Sequence, residues 1–243
     1  MEAFMNHYIY PLLLVINSEL VFNTEHTFAT KSGAGLQTCN RVGNTGLIDT
    51  TDIKKIKDFF QKTPFAWFVE STDLRTITML EEHGFTFKID HPAMHINLAD
   101  INAIDYAGVT IKQVNSDAQL ALWIDVVLKS FEVKLPEEYK KYIRYLTDHA
   151  VKDTLYFYLA YHQGIPVAAS MIIKRDTSAA LHWIGTLPEH RNQGFGYIIT
   201  HATLVEAQRH GCTDGVLFAS TLGRPVYERI GFKEYALYKI YVL

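Results

Sequence analysis

Hydrophobic and polar positions follow two periods along this chain. A helical period places Ile53, Ile56, Phe59 and Phe60 on one face after Thr51-Asp52, and Leu74, Ile77 and Leu80 on another between Asp73 and Gly84. Phe65–Val69 is a short aromatic and β-branched run, as a strand requires, and Phe85–Leu98 reads as extended chain interrupted by Pro92. From Val109 the pattern sharpens. Val109–Val114 alternates as a strand does. Ser116-Asp117 opens a helix that carries Leu120, Trp123, Ile124, Val127 and Leu128, and Pro136–Leu146 reads as another. Tyr156–Tyr161 and Pro166–Ile173 flank His162-Gln163-Gly164, a hairpin signal, and Ala179–Thr186 is a further strand. Gly194–His210 is helical, with Phe195, Ile198, Ile199, Ala202 and Val205 inward. Val216–Ala219 is a strand, Arg224–Ile230 a short helix and Phe232–Val242 a last strand. The order β-α-α-β-β-β-α-β-α-β predicts an α/β domain with a mixed sheet.

The chain has 243 residues, of which 48% are hydrophobic and 20% charged, so it can bury a core without a metal or disulfide staple. Residues 1–104 carry 8 basic and 12 acidic side chains, and residues 105–243 carry 15 and 14. An anionic ligand therefore meets less repulsion in the second half. Together with the polar link Leu98–Gly108, this places a domain boundary near residue 104, giving domains 1–104 and 105–243. The net charge of −3 weighs against a nucleic-acid partner. Tyr8–Ile16 is the longest apolar run, nine residues broken by Pro11, too short to cross a bilayer. Two cysteines, Cys39 and Cys212, make no disulfide framework, and the expectation is a cytoplasmic protein with no membrane partner. His91 and His95 have a helical metal-ligand spacing, but Pro92 and the missing third ligand argue against a metal site.

Chemistry concentrates at Leu181–Gly196, where a strand enters a tight loop with two glycines and leaves it as an amphipathic helix. The first N–H groups of a helix have no intrahelical partner and lie at the positive end of its dipole, an arrangement suited to phosphate. Arg191 adds a positive charge. The segment is neither a Walker A loop nor a Rossmann GxGxxG. By itself, this pattern is equally consistent with a tight turn.

Arg191-x-x-Gly194-x-Gly196 after a strand and Pro188 resembles the acyl-CoA pyrophosphate loop of the GNAT superfamily of N-acetyltransferases. Tyr227-Glu228-Arg229-Ile230-Gly231-Phe232 is similar to that family's Tyr-x-x-x-Gly-Phe segment, and Ala219–Tyr227 resembles one branch of it. The first half more loosely resembles the degenerate halves of tandem GNAT proteins at Asn40-x-Val42, Phe65–Val69, Leu80–Phe85 and Met94-x-x-x-Leu98. It has no Arg-x-x-Gly-x-Gly, and Gly33-Ala34-Gly35 precedes no helical pattern, so a second CoA site is not expected.

The resemblance implies a mixed-sheet acyl-CoA N-acyltransferase fold, tandem with a degenerate N-terminal half, which binds acetyl-CoA as co-substrate and acetylates a primary amine by direct attack. It implies that the strand ending at Thr186 splays from its neighbour, so that Ile184, Gly185 and Thr186 bond the pantetheine arm. Asn192, Gln193, Gly194, Phe195, Gly196 and Tyr197 would offer main-chain N–H groups to the pyrophosphate. Arg191 would hold a phosphate or support the loop. Ser220 stands where the family often has Asn. Tyr227 would protonate the departing thiolate. His182 is a candidate base, and strand alternation puts it on the same face as Ile184 and Thr186. The acceptor would be a small molecule or peptide, and the chain could form oligomers. Two other readings stay open: a non-catalytic acyl-CoA sensor or interaction module, and a different acyl or aminoacyl transferase on the same fold.

Overall fold

The computed structural model describes residues 20–24, 26–32, 35–44, 46–134, 136–149 and 153–243. The apolar run Tyr8–Ile16 and the pair Gly33-Ala34 lie outside them. The expected α/β class with a mixed sheet is what the chain adopts. Contacts divide it into two compact units. One runs up to Ala93 and includes Arg144–His149 and Glu234–Leu243; the other comprises Met94–Ile143 and Ala150–Lys233. The polar link Leu98–Gly108 thus lies inside the second unit, and the last strand belongs to the first.

In the first unit, β1 (Leu20–Asn23), β2 (Thr27–Lys31) and β3 (Arg41–Asn44) pair antiparallel in sequence. β4 (Ala66–Glu70) joins β3 in parallel, with Val42 opposite Trp67. The chain's last strand, β11 (Lys233–Val242), runs antiparallel to β4 with Ile240 opposite Phe68. Helix α1 (Thr50–Phe60) follows β3, and α2 (Leu74–Glu82) follows β4. The helical face read from the sequence drives this packing: Ile53, Ile56 and Phe60 bury against Trp67, Val69 and Phe85. Asn40 is fully buried and tied on both sides of its amide, accepting from the Ser32 N–H at 2.8 Å and donating to the Pro64 carbonyl at 2.8 Å. β5 (Thr86–Asn97) runs unbroken through Pro92.

The second unit orders its strands β10-β9-β8-β7-β6. β6 (Val109–Gln113), β7 (Leu155–His162), β8 (Ile165–Arg175) and β9 (Ser178–Thr186) form an antiparallel meander. The hairpin between β7 and β8 turns at Gln163 and Gly164, both with positive φ (51° and 79°), as a two-residue turn matched to strand twist requires. β10 (Asp214–Phe218) then pairs with β9 in parallel. Helices α3 (Asp117–Ser130) and α4 (Pro136–His149) precede the meander; α5 (Phe195–Arg209) joins β9 to β10, and α6 (Arg224–Ile230) follows β10. Phe195, Ile199 and Leu204 of α5 bury against Ala168, Ile172 and Leu181 of the sheet. The paired strands β9 and β10 end at the same side of this unit, where α5 and α6 begin; in open α/β sheets that is where ligands bind.

Candidate active site

Pairing between β9 and β10 covers only Asp214↔Ser178, Gly215↔Ala179 and Val216↔Ala180. β9 continues six residues further, to Thr186, bonded to β8 on its other edge. Among the described residues, the edge of β9 that faced β10 therefore has no strand partner from Leu181 to Thr186. This is the splay the resemblance implied, and it leaves Ile184, Gly185 and Thr186 beyond the last paired residue.

A bulge sits in the same stretch. His182 lies opposite Met171 and Thr186 opposite Ala168, so four residues of β9 span three of β8. Trp183 absorbs the extra residue at φ 46°, a left-handed conformation rare for a bulky side chain and costing on the order of 1–3 kcal/mol. The expected facing is therefore corrected. His182 and Thr186 point to opposite faces, because an odd spacing on β8 inverts the alternation. Ile184 packs into the cluster beneath α5. The Trp183 ring meets Trp123 at 5.7 Å and Tyr142 at 6.0 Å, on the α3 and α4 face. Gly185 also touches α3: a Cβ there would sit 2.6 Å from Ser130 Cβ. Sequence periodicity could not locate this extra residue, because nothing in the residue types distinguishes a bulge from a regular strand.

The loop after β9 makes a 3-10 turn at Pro188–His190, and the chain then takes left-handed φ at Asn192 (60°) and Gly194 (86°). Gly194 is the N-cap of α5, and no side chain caps this helix. Its first N–H groups, on Phe195, Gly196 and Tyr197, have no intrahelical acceptor by helix geometry. Asn192, Gln193 and Gly194 are exposed. A Cβ at Gly194 would meet nothing within 4 Å, and one at Gly196 would meet only Thr186 Oγ1, at 3.6 Å. The protein's own atoms leave room here. The Phe195 ring is buried in the core cluster, with His162 at 5.2 Å and His190 at 6.0 Å.

Arg191 reaches back instead of forward. Its guanidinium donates to the Ser130 carbonyl at 2.7 Å and pairs with Glu132 at 3.3 Å. It thus satisfies a terminal carbonyl of α3 and braces the loop. Ser220 is likewise occupied: its Oγ accepts from the Gly223 N–H at 3.1 Å and supports the start of α6.

Tyr227 is buried in the cluster that holds Phe195, Ile199 and Ala219, edge-on to Phe232 at 5.9 Å. Its hydroxyl lies over Gly223, where a Cβ would come within 2.9 Å, so the side chain points toward the start of α6. Burial pushes its pKa up to about 12, which keeps the phenol protonated at neutral pH. His95 Nε2 meets an Asp214 carboxylate oxygen at 2.8 Å, and no cluster of three His, Cys, Asp or Glu side chains occurs among the described residues. Cys39 and Cys212 are buried and unbridged. No described helix is long and apolar enough to cross a membrane.

Residues 153–234 match the family model described as Acetyltransferase (GNAT) domain. A GCN5-related N-acetyltransferase from Kribbella flavida shares the fold at 18% identity and a TM-score of 0.73, over 96% of this chain and 92% of that one. A functionally unknown conserved protein from Staphylococcus epidermidis does so at 14% and 0.69, over 98% of each chain. A tandem GNAT protein from the clavulanic acid biosynthesis pathway aligns at 13% identity and 0.61, over 92% of this chain and 81% of that one. No curated protein sequence matches the chain. The resemblance read from Arg191, Gly194, Gly196 and Tyr227–Phe232 is borne out. Residues 153–234 are a GNAT domain, a domain of acetyltransferases, and the chain has the fold of this group.

Proposed function

We propose that the second unit transfers an acetyl group from acetyl-CoA to a primary amine. The observation that carries this is the end of β9–β10 pairing at Ala180 and Val216 beside an uncapped helix mouth at Gly194. A pantetheine arm carries amides that bond to Ile184, Gly185 and Thr186 as an added strand would. The diphosphate at its far end is held by main-chain N–H groups of Asn192–Tyr197. Since Arg191 is engaged with Ser130 and Glu132, its part is to brace that loop.

The amine nitrogen attacks the thioester carbonyl carbon. Negative charge gathers on the carbonyl oxygen and is stabilised by a β9 main-chain N–H. Collapse breaks the C–S bond, and Tyr227 gives its proton to the thiolate that leaves. The amine proton departs to His182, directly or through water, from the α3 and α4 face, opposite the face packed under α5. Positioning supplies most of the acceleration.

Tyr227→Phe tests the reading. Turnover falls at least tenfold while CoA affinity by calorimetry stays within twofold. Unaltered turnover removes Tyr227 from the acid role.

A further inference from the structure

Arg229 has no role in the mechanism above, yet it touches the helix mouth. Its guanidinium carbon lies 5.1 Å from the centre of the Tyr197 ring, in the first turn of α5. That ring is held in place: the His201 imidazole stacks on it at 5.7 Å and 19°, one turn along the same helix. His201 is hydrogen-bonded in turn to the Tyr106 hydroxyl, at 2.8 Å. The other arginines of the loop before α5 and of α5 and α6 are committed. Arg191 pairs with Glu132, Arg209 with Glu206, and Arg224 with Glu228 at 2.8 Å. Among the described residues no carboxylate pairs with Arg229, and the residue is exposed.

A guanidinium laid over a ring keeps its in-plane N–H donors free, and these match the oxygens of a phosphate in a bidentate fork. Acetyl-CoA carries two separate anionic groups: the diphosphate and, on the adenosine ribose, a 3′-phosphate monoester. With the diphosphate on the N–H groups of residues 192–197, the free cation stacked on Tyr197 stands beside the nucleoside end of the carrier. We propose that Arg229, oriented by Tyr197, binds the ribose 3′-phosphate and so selects CoA over carriers that lack it. This rests on the acetyl-CoA reading of the same site.

Calorimetric titration of the full chain with CoA and with 3′-dephospho-CoA tests it without knowledge of the acceptor. The wild type binds 3′-dephospho-CoA at least tenfold more weakly than CoA. Arg229→Met brings CoA down to the dephospho carrier's affinity and leaves the latter within twofold. Arg229→Lys keeps part of the preference, since the charge remains and the fork is lost. Equal wild-type affinities, a preference that survives in Arg229→Met, or a loss shared by both carriers would each overturn the assignment. If neither carrier binds the wild type, the acetyl-CoA reading itself falls, which is a separate outcome.

Discussion

Two helices in this molecule each follow a strand of a parallel pair, and their first turns are built in opposite ways. In the first unit α1 follows β3, which pairs with β4; in the second α5 follows β9, which pairs with β10. The mouth of α1 is closed by its own residues. Asp49 accepts from the Asp52 N–H at 2.9 Å, and Asp52 accepts from the Asp49 N–H at 3.2 Å. α2 is closed in the same manner by Asp73, which accepts from the Thr76 N–H at 3.0 Å. The mouth of α5 has a left-handed glycine and no capping side chain. A capped end spends its free N–H groups on the protein's own carboxylate, and that charge repels a phosphate. An uncapped end forgoes roughly 1 kcal/mol of helix stability and keeps the groups for a ligand. One unit of strand, helix and strand thus closes its helix mouth with its own carboxylates, and the other leaves it uncapped, as the proposed carrier cradle requires.

Placing a carboxylate at the open mouth is the sharpest way to break this contrast. Gly194→Asp lowers CoA affinity about a hundredfold in calorimetry, through a strained φ of 86° and repulsion of the diphosphate. Wild-type affinity in this variant contradicts the cradle. The reverse change should touch stability alone. Asp49→Ala lowers Tm by about 2–4 °C and leaves CoA binding unchanged. The native Asp49 carboxyl is held below its ordinary value of 3.8, first by the hydrogen bond from the Asp52 N–H. A group lowered on folding stabilises the protein above its unfolded pKa, and loses that contribution as pH falls through its native pKa. The Tm gap between wild type and Asp49→Ala is therefore full near neutrality and narrows below about pH 4. A gap that persists at pH 2 would show that the cap does not act through its charge. The smallest effect belongs to Gly196→Ala. The added methyl meets only Thr186 Oγ1 at 3.6 Å, so helix propensity leaves Tm equal or slightly higher. CoA binding weakens severalfold, because the methyl stands where the diphosphate approaches. A loss of Tm without loss of binding would make Gly196 a packing residue.

Much of the site was legible because its signals are local. Gly194 and Gly196 after a strand, and Tyr227 before Gly231-Phe232, are patterns of neighbours, and the helices α3, α5 and α6 start within a residue or two of their expected positions. What was not legible depends on contacts between distant segments. Arg191 resembles a phosphate ligand in the loop, yet its guanidinium bonds a carbonyl sixty-one positions away. Arg229 reads as one more charge on a short helix until Tyr197 is found beneath it.

The residue pattern by itself determined the elements, the glycine that opens α5, and the buried faces, since hydrophobic period and glycine act over a few positions of chain. The tertiary structure alone decided where β9 parts from β10, which way His182 faces after the bulge at Trp183, and which arginine keeps its donors free. Those outcomes are set by register and by which side chains meet across the fold. A single residue of register reverses every facing beyond it.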